Sequence, residues 1–494
     1  MTADTKITTD SEAVSDTVSV RGATPAPPRA GGYSGCGTNR SRSNPSSPPS
    51  TSSSAEAATA AARQSSTESR AETADADTAP APDGMFAALH NRNYRIYLTG
   101  SFVSNIGTWM QRVAQDWLVL ELSGGSGTAI GIATGLQFLP MLLLSPYGGL
   151  IADRFDKRRV LKITQLWLAL SAAALGLLAI SGLAVTWHVY LLAFLFGVGT
   201  AFDNPARQSF VPEVVGPRQV PNAIGLNSAT FHAARIVGPA LAGLVIAAFG
   251  TGWAILGNAV TYAAFIGGLL LLDAGRLRST PRVARAKGQI RAGLAYVRSR
   301  SDILLVLLVV FSVGTFGLNF QMTSALMAQS EFHKGPQEYG ILGTFMAVGS
   351  LAGALLAARR RTAPSRRFVI TTAIAFGVTE VVAGTMPSYA SYAAILPLVG
   401  LAALLTMTAC NTSVQLRVEP VLRGRVMALY MMVFLGGTPL GAPLLGWIGE
   451  VFGARWTLLG GGGLTILGTL LALLAVRLLH QASTSPASAL EPSR

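Results

Sequence analysis

The chain has 494 residues, of which half are hydrophobic and only 13% are charged. Soluble domains usually carry about 25% charged residues. This shortfall, together with a mean hydropathy of +0.44, excludes an ordinary soluble protein and indicates a membrane protein. The net charge of +14 comes from short Arg and Lys clusters between apolar runs. That arrangement favours a membrane-topology signal over a nucleic-acid-binding surface.

Residues 1–84 precede the first apolar run and are rich in Ser, Thr, Ala and Pro. They show no apolar periodicity, so we expect a disordered N-terminal tail. The tail has no apolar core of the kind found in secretory signal peptides. Met85 stands at the junction, and two interpretations stay open there: translation begins at Met85, or the tail is a genuine cytoplasmic segment.

Twelve stretches are long and apolar enough to cross a bilayer, for which a helix needs about 20 residues. We therefore expect an all-α integral membrane protein. The predicted spans are 97–121, 127–150, 160–183, 188–210, 222–248, 254–272, 302–328, 338–358, 368–386, 390–413, 424–449 and 456–479.

The longest loop in the membrane region, 273–301, is basic and divides the spans six and six. It predicts an N-terminal bundle at 85–272, a cytoplasmic linker, a C-terminal bundle at 302–480 and a short disordered tail at 481–494. Within the linker, residues 290–297 have the pattern of a short amphipathic helix on the membrane surface.

Basic residues fall almost entirely in the loops on the side of the N-terminal tail. The opposite side holds only Lys334 and Arg455. Cytoplasmic loops of membrane proteins carry an excess of Lys and Arg. The asymmetry therefore predicts a multi-pass protein of the cell membrane with both termini in the cytoplasm.

An internal repeat relates residues 209–253 to residues 412–456 without gaps. Matches of Leu and Val mean little between apolar helices, but Gly, Pro and Trp also align. The repeat makes spans five and eleven equivalent, which predicts two pseudo-symmetric six-helix bundles with a substrate site between them near the bilayer midplane. The aligned pairs include Pro217/Pro420, Gly238/Gly441, Gly243/Gly446, Gly250/Gly453 and Trp253/Trp456.

Span one carries a polar stripe, which a membrane helix must turn toward protein or water. Arg112 and Asp116 lie four residues apart and can form an ion pair. A carboxyl group in a polar cavity can instead hold and release protons. Proton coupling, a static ion pair and interfacial exposure remain alternatives for Asp116. The stripe consists of Ser101, Ser104, Asn105, Thr108, Arg112, Gln115 and Asp116.

Other spans contain further candidates for a substrate or proton pathway. Arg235 in span five is expected to line a cavity, whereas His232 fits packing or proton transfer. Glu380 lies near the outer end of span nine, so interfacial exposure is an alternative for it. The remaining candidates are Ser228 in span five and Asn319 and Gln321 in span seven. Gly238, Pro239 and Gly243 predict close helix packing in span five.

The stretch GLIADRFDKRR after span two resembles the loop signature of the major facilitator superfamily. Asp156 stands where that signature usually has Gly. NRNYRIYLTG, SNIGTWMQRVAQDWLVLEL, DNPARQSFVPE and NAIGLNSATFHAARIVGPALAG are similar to one branch, the enterobactin-exporter-like transporters or transmembrane secretion effectors. The resemblance covers about residues 86–480. The signature positions are Gly149, Asp153, Arg154, Asp156, Lys157 and Arg158.

The resemblance implies the major facilitator fold and a cytoplasmic gate formed by Gly149, Asp153, Arg154, Lys157 and Arg158. Asp153 would face the start of span eleven near Gly424, since a carboxylate is favoured at a helix N-terminus. Its expected ionic partner is Arg207, for which a local ion pair with Asp203, one turn earlier, is the alternative. The alternative for the three bases 157–159 is that they act only as topology charges. The small residues of span five resemble the superfamily's antiporter motif, although two of its usual glycines are Ala here.

No nucleotide-binding or hydrolase motif of the kinds GxxxxGK[ST], HExxH or GxSxG occurs in a suitable setting, so we expect neither an enzyme nor an ATP-driven pump. We expect proton-coupled export of a small siderophore- or drug-like molecule by alternating access. Uptake or facilitated diffusion of a metabolite, or lysolipid transport, are the alternatives.

The expected partners are a small-molecule substrate, protons and the lipid bilayer, with no nucleic acid, cofactor or metal. The protein is expected to be a monomer. Arg112 and Arg235 would suit an anionic substrate.

Overall fold

A computed structural model of the protein describes residues 84, 86–278, 289–360 and 362–484. All of the long regular elements in these ranges are helices. Nearly all of the predicted N-terminal tail lies outside the described residues, as do residues 279–288 of the linker and residues 485–494.

Six long helices form the N-terminal half and are followed by one short helix in the linker. They are α1 (Arg92–Leu122), α2 (Gly127–Arg154), α3 (Lys157–Ile180), α4 (Thr186–Val215), α5 (Val220–Phe249), α6 (Thr251–Leu270) and the linker helix α7 (Gln289–Ser299). The C-terminal half contains α8 (Ser301–Ser312), α9 (Phe320–Leu326), α10 (Pro336–Ala358), α11 (Arg366–Gly384), α12 (Tyr389–Arg417), α13 (Pro420–Gly436), α14 (Thr438–Phe452) and α15 (Ala454–Thr484).

In the part of the chain that the structure describes, eleven helical segments are long and apolar enough to cross a membrane. The twelfth is α1, whose polar stripe lowers its hydropathy but whose 31 residues pack against α5 and α6 inside the N-terminal bundle. Two spans are interrupted. In span seven, π-helical turns at Val313–Gly317 and Met327–Glu331 flank α9, and span eleven breaks between α13 and α14. The predicted all-α fold with twelve membrane helices is confirmed.

Some boundaries differ from the prediction because polar residues continue the helices beyond the apolar runs. Helix α1 begins at Arg92, where the side chain of Asn91 accepts a hydrogen bond from the backbone N–H of Tyr94 and caps the helix. At the other end of the chain, α15 continues to Thr484, into the segment predicted to be a tail. The predicted amphipathic segment is helical as α7, and it packs against α13.

The internal repeat is visible in the helix ends. Spans five and eleven both end at a glycine in the left-handed region, Gly250 at φ 91° and Gly453 at φ 100°. Glycine adopts this conformation without steric strain and commonly ends helices. The equivalent residues of the two halves therefore perform the same local task.

The repeat is also visible in the packing of spans five and eleven. A Cβ atom at Gly238 would lie 2.5 Å from the Cβ of Trp109 on span one, and a Cβ at Gly441 would overlap the carbonyl oxygen of Thr315 on span seven. One turn or so later, Gly243 contacts Gln337 on span eight, and Gly446 contacts the backbone of span two. Each helix thus touches its own half first and then the other half, as a two-fold pseudo-symmetry requires.

The loops define two ends of the bundle, called the basic end and the far end. Among the described residues, the basic end carries the loops at 155–156, 216–219, 271–278, 362–365 and 418–419. The far end carries the loops at 123–126, 181–185, 332–335 and 385–388.

Contacts between the halves are closest at the far end. Helix α2 packs against α14, and α5 packs against α10. Glu450 at the far end of α14 accepts hydrogen bonds from the hydroxyl of Ser126 (2.7 Å) and from the backbone N–H of Thr128 (2.9 Å). The two bundles are therefore joined tightly at the far end.

Candidate functional site

A cavity of about 310 Å³ lies between the two halves. Helices α1, α2 and α5 supply one wall, and span seven with α10, α12 and α13 supplies the other. Its lining is mainly aromatic and aliphatic, which is typical of small-molecule sites. The lining residues include Trp109, Arg112, Phe138, Phe231, Arg235, Leu318, Phe320, Gln321, Tyr339, Met407 and Phe434.

Two arginines of the N-terminal half face this cavity around one tryptophan ring. The guanidinium carbon of Arg112 lies 4.8 Å from the ring centroid of Trp109, and that of Arg235 lies 5.3 Å from the same ring. Within the described part of the chain, neither arginine forms an ion pair and no acidic side chain lines the cavity. The site therefore holds two guanidinium groups that contact an aromatic ring, and neither forms an ion pair with a described carboxylate.

The alternative of a static ion pair between Arg112 and Asp116 is wrong. Arg112 turns to Trp109 and to the ring of Phe138, 5.7 Å away, and its Nε has no hydrogen-bond partner among the described residues. Asp116 is 7% exposed and accepts a 3.0 Å hydrogen bond from the hydroxyl of Tyr339. The helical spacing allows the ion pair, but the aromatic rings near Arg112 and the hydroxyl near Asp116 offer each group a separate partner.

Tyr339 connects the two halves beside the cavity. Its hydroxyl lies 3.0 Å from Asp116 Oδ2 on α1 and 3.0 Å from the main-chain oxygen of Gln321 on α9. Its ring stacks on Trp117 of α1 with centroids 6.1 Å apart. One hydroxyl has a single proton, so it cannot serve two acceptors fully. A proton on the Asp116 carboxyl would supply the second hydrogen bond.

The surroundings of the cavity differ toward the two ends of the bundle. A neighbouring cavity of about 240 Å³ shares Met407 and Phe434 with it and reaches Asn411 and Thr412 near the basic end of α12. Toward the far end, close packing of α5 on α10 covers the site, with the Thr344 hydroxyl donating to the carbonyl oxygen of Ile236 at 3.2 Å. The site is thus covered toward the far end, and a second cavity lies beside it on the side of the basic end.

Other predicted pathway residues lie at varied distances from this cavity. Arg235 and Gln321 line it, whereas Ser228 is exposed on α5 toward the basic end and His232 is half-buried beside Phe231. On α1, Gln115 is buried and donates a 3.0 Å hydrogen bond to Gln137 of α2. Asn105 is half-buried.

The C-terminal candidates are more buried than their positions in the sequence indicated. Asn319 is 4% exposed, and its amide donates to the carbonyl oxygen of Thr315 at 2.8 Å across the break in span seven. Glu380 is only 2% exposed, so the alternative of interfacial exposure is wrong. It faces the interior because spans seven and twelve cover that side of α11.

At the basic end, the expected ion pair between Asp153 and Arg207 is also wrong. Arg207 pairs with Asp203 one turn earlier on α4, with Nε and Oδ2 2.5 Å apart. Its other nitrogens donate to the hydroxyls of Ser101 (3.0 Å) and Ser104 (3.1 Å) on α1. Arg207 thus uses the predicted polar stripe to hold α1 to α4 inside the N-terminal bundle.

Three residues of the loop signature have defined structural contacts. Asp156 caps α3 by accepting a 2.7 Å hydrogen bond from the N–H of Arg159. Lys157 forms an ion pair with Glu213 of α4. Arg158 donates to the carbonyl oxygens of Leu269, Leu270 and Leu272, at the end of α6. Lys157 and Arg158 are therefore structural as well as basic, and topology alone does not account for them.

The remaining signature residues lie at the end of α2. Gly149 is half-buried, and Asp153 and Arg154 are exposed. Asp153 borders a polar cleft of about 300 Å³ that also contains Lys157, Arg158, Glu213 and Arg278.

Sequence reasoning missed Trp109 and Tyr339. Trp109 precedes Arg112 by three residues, which places both on one helix face, and that spacing could have signalled the ring–guanidinium contact. Tyr339 gave no such signal, since it is one aromatic residue near the start of an apolar helix.

The twelve-helix fold and the enclosed cavity define a membrane transporter of the major facilitator type. The chain belongs to the transmembrane secretion effector family, whose pattern it matches over residues 83–493. It is therefore a multi-pass membrane protein, and the predicted family is confirmed.

Several similar proteins are transporters. The chain is 24% identical to the Staphyloferrin A transporter of Staphylococcus aureus (strain NCTC 8325 / PS 47), over 73% of this chain and 90% of the relative. It is 29% identical to the multidrug efflux pump Tap of Mycolicibacterium fortuitum, over 74% of this chain and 91% of the relative. The fold is similar to a bacterial homologue of the lysosomal transporter Spinster, solved in an inward-facing, unoccupied conformation. That similarity has a TM-score of 0.61 at 16% identity and covers 80% of this chain and 99% of the other.

Proposed function

We propose that this transporter is a proton-coupled exporter of a small amphipathic organic molecule that carries negative charge. The observation that carries the proposal is the pair Arg112 and Arg235 around Trp109, in a cavity with no acidic residue in its described lining. Guanidinium groups favour carboxylate and similar anions, and the aromatic walls favour an apolar body. The named relatives, a siderophore transporter and drug efflux pumps, support export of a small organic molecule.

The proposal places the basic end in the cytoplasm, together with both termini, because Lys and Arg mark cytoplasmic loops. In this orientation the described conformation is closed to the outside, and its cavity is reached from the cytoplasm. Substrate would enter from the cytoplasm and leave after the far end opens. Since the cavity is complete within one chain, the proposed working unit is a monomer.

Asp116 is the proposed proton site of the N-terminal half. With a proton on Asp116, both hydrogen bonds around the Tyr339 hydroxyl can form, so protonation favours the conformation closed at the far end. A bound anion beside Arg112 would not expel this proton by charge. Coupling would therefore run through conformation: loss of the proton weakens the far-end closure, and the substrate-loaded protein opens outward.

The proposed inner gate is the end of α2. Gly424 on α13 has open space where a Cβ would lie, so the start of span eleven is free to approach α2 when the basic end closes. Asp153 would then approach the positive N-terminal end of α13, a favourable place for a carboxylate. Arg207 takes no part in this contact, because it is held by Asp203.

Transport into inside-out membrane vesicles tests the proposal. The probes are staphyloferrin A, a macrolide and the anionic dye carboxyfluorescein, each with the vesicle lumen acidic or neutral. We expect an anionic probe to accumulate in acidic lumens, and Arg112→Gln and Arg235→Gln to reduce its accumulation strongly. Accumulation driven by the opposite gradient, equilibration that ignores pH, or movement of lysolipid only would each contradict proton-coupled export.

A further inference from the structure

Glu380 occupies an unusual position in the C-terminal half. It lies one turn before the far end of α11 and is 2% exposed. Its Cβ packs against α15, where a Cβ at Gly462 would lie 2.9 Å away. Its Oε2 lies under the break in span seven, 3.1 Å from the place of a Cβ at Gly317. The carboxyl group is thus enclosed between spans nine, twelve and seven.

Among the described residues, Glu380 Oε2 has no hydrogen-bond partner and the Glu380 carboxyl group forms no ion pair. The charged groups nearby are engaged elsewhere. On α15, Arg455 pairs with Glu331 at 2.7 Å and donates to the carbonyl oxygen of Gly384 at 3.1 Å. On α12, the hydroxyl of Tyr392 lies 3.2 Å from that of Ser324.

The other elements packed against α11 offer no counter-charge. Helix α8 has one ionisable residue, Asp302, at the opposite end and paired with Arg300 at 3.0 Å. The π-helical turn Val313–Gly317 has none. Other buried oxygens in this region also lack partners among the described residues: Thr315 Oγ1, Asn319 Oδ1 and Thr465 Oγ1. An ionised carboxylate without a donor in such a place is strongly unfavourable.

The segment of span seven that covers Glu380 continues directly into residues that line the substrate cavity. Leu318 and Phe320, which follow Gly317, line that cavity. Phe320 also contacts Phe376, one turn before Glu380 on α11, with ring centroids 5.9 Å apart. The helix is irregular at this point, and π-helical turns frequently lie at functional sites. A ligand that moves Leu318 or Phe320 would therefore move the cover of the carboxyl group.

We propose that Glu380 is a second proton-binding site, in the C-terminal half and separate from Asp116. It holds a proton while span seven covers it, and it releases the proton when a ligand in the cavity shifts the break at Gly317 and admits water. The inference rests on the proposed proton-coupled transport and adds a second coupling site to it. The pseudo-symmetric halves would then each contain one carboxyl group that responds to the cavity.

Infrared spectroscopy of the purified full-length protein tests the protonation. The wild type should show a carbonyl band of protonated carboxylic acids at neutral pH, and Glu380→Gln should lose one component of that band. The matched control Glu331→Gln removes a half-exposed, ion-paired acid from the same half and should leave that band unchanged. If Glu380→Gln instead removes an ionised carboxylate band, the proposal is overturned.

Proton release on addition of the transported anionic probe, measured in detergent, tests the coupling. Asp116→Asn should still release a proton, because Glu380 remains, and Glu380→Gln should release one fewer than the wild type. The Asp116→Asn variant tests the second site even if Glu380→Gln does not fold. Complete loss of proton release in Asp116→Asn would contradict a second site. A wild type that transports the probe without any proton movement would refute the proposed function, while the infrared result would still report on Glu380.

Discussion

The Tyr339 hydroxyl on α10 lies 3.0 Å from the Asp116 carboxyl on α1, and this contact crosses the interface between the two bundles. Asp116 lies one helical turn from Arg112, which faces the cavity. The same pair therefore closes the far end and borders the binding site. A proton on Asp116, a closed far end and an accessible cavity are linked through this one contact.

Replacing Tyr339 with Phe should weaken the far-end closure without removing ring packing on Trp117. A hydrogen bond of this kind contributes about 1 kcal/mol, so the ratio of closed to open molecules should fall roughly fivefold. Spin labels at Ser181→Cys and Thr385→Cys, exposed in far-end loops of opposite halves, would report the change as longer distances. Tyr389→Phe is the control, since its hydroxyl binds Glu338 within one half. Equal distance distributions in all three proteins would contradict this role.

Gly446→Ala should prevent the far end from closing. The added Cβ would overlap the carbonyl oxygen of Gly127 on α2, and backbone atoms cannot rotate away as a side chain can. We expect long spin-label distances at the far end and loss of transport. Gly463→Ala is the matched control, because a Cβ there meets open space. Normal transport by Gly446→Ala would show that the far-end contact is not needed.

Arg112→Gln and Arg235→Gln should each weaken binding of an anionic probe about tenfold or more, since hydrogen bonds to charged groups contribute about 1.5–3 kcal/mol. Equilibrium binding to the purified protein measures this directly. A neutral macrolide should be affected less, and Arg477→Gln, an exposed residue at the basic end, should change neither. The anion assignment fails if both probes weaken equally.

Arg158→Gln should destabilise the folded protein by about 1–3 kcal/mol, because three carbonyl oxygens at the end of α6, two of them in partly buried hydrogen bonds, lose a charged donor. Thermal unfolding in detergent, compared with the exposed neighbour Arg159→Gln, measures the difference. Equal stability of the two variants would contradict a structural role for Arg158 and favour the alternative that it acts only as a topology charge.

The fold follows from the sequence because a bilayer imposes simple rules. Length and hydropathy locate most spans, and the positions of Gly238, Gly243, Gly441 and Gly446 reveal the repeat before any contact is known. The span in α1 is predicted by its length and apolar content, and its polar residues lie on one face that must turn toward protein or water.

Side-chain partners were harder to predict. Both Asp116 and Arg207 have an oppositely charged residue four positions away in the chain, yet only Arg207 uses it. Phe138 and Tyr339, from other helices, decide the outcome at Arg112 and Asp116. Glu380 was placed too near the surface for a similar reason: distance from a helix end gives depth along the membrane, whereas burial depends on which helices cover that face.

The most direct test of proton coupling is proton flux in proteoliposomes of uniform orientation, started by adding the transported anionic probe to the side of the basic end. The account predicts that protons move toward that side as the probe moves away from it, and that Asp116→Asn, which keeps the side-chain size but cannot ionise, reduces the flux. Unchanged flux in Asp116→Asn, or protons that travel with the probe, would contradict it.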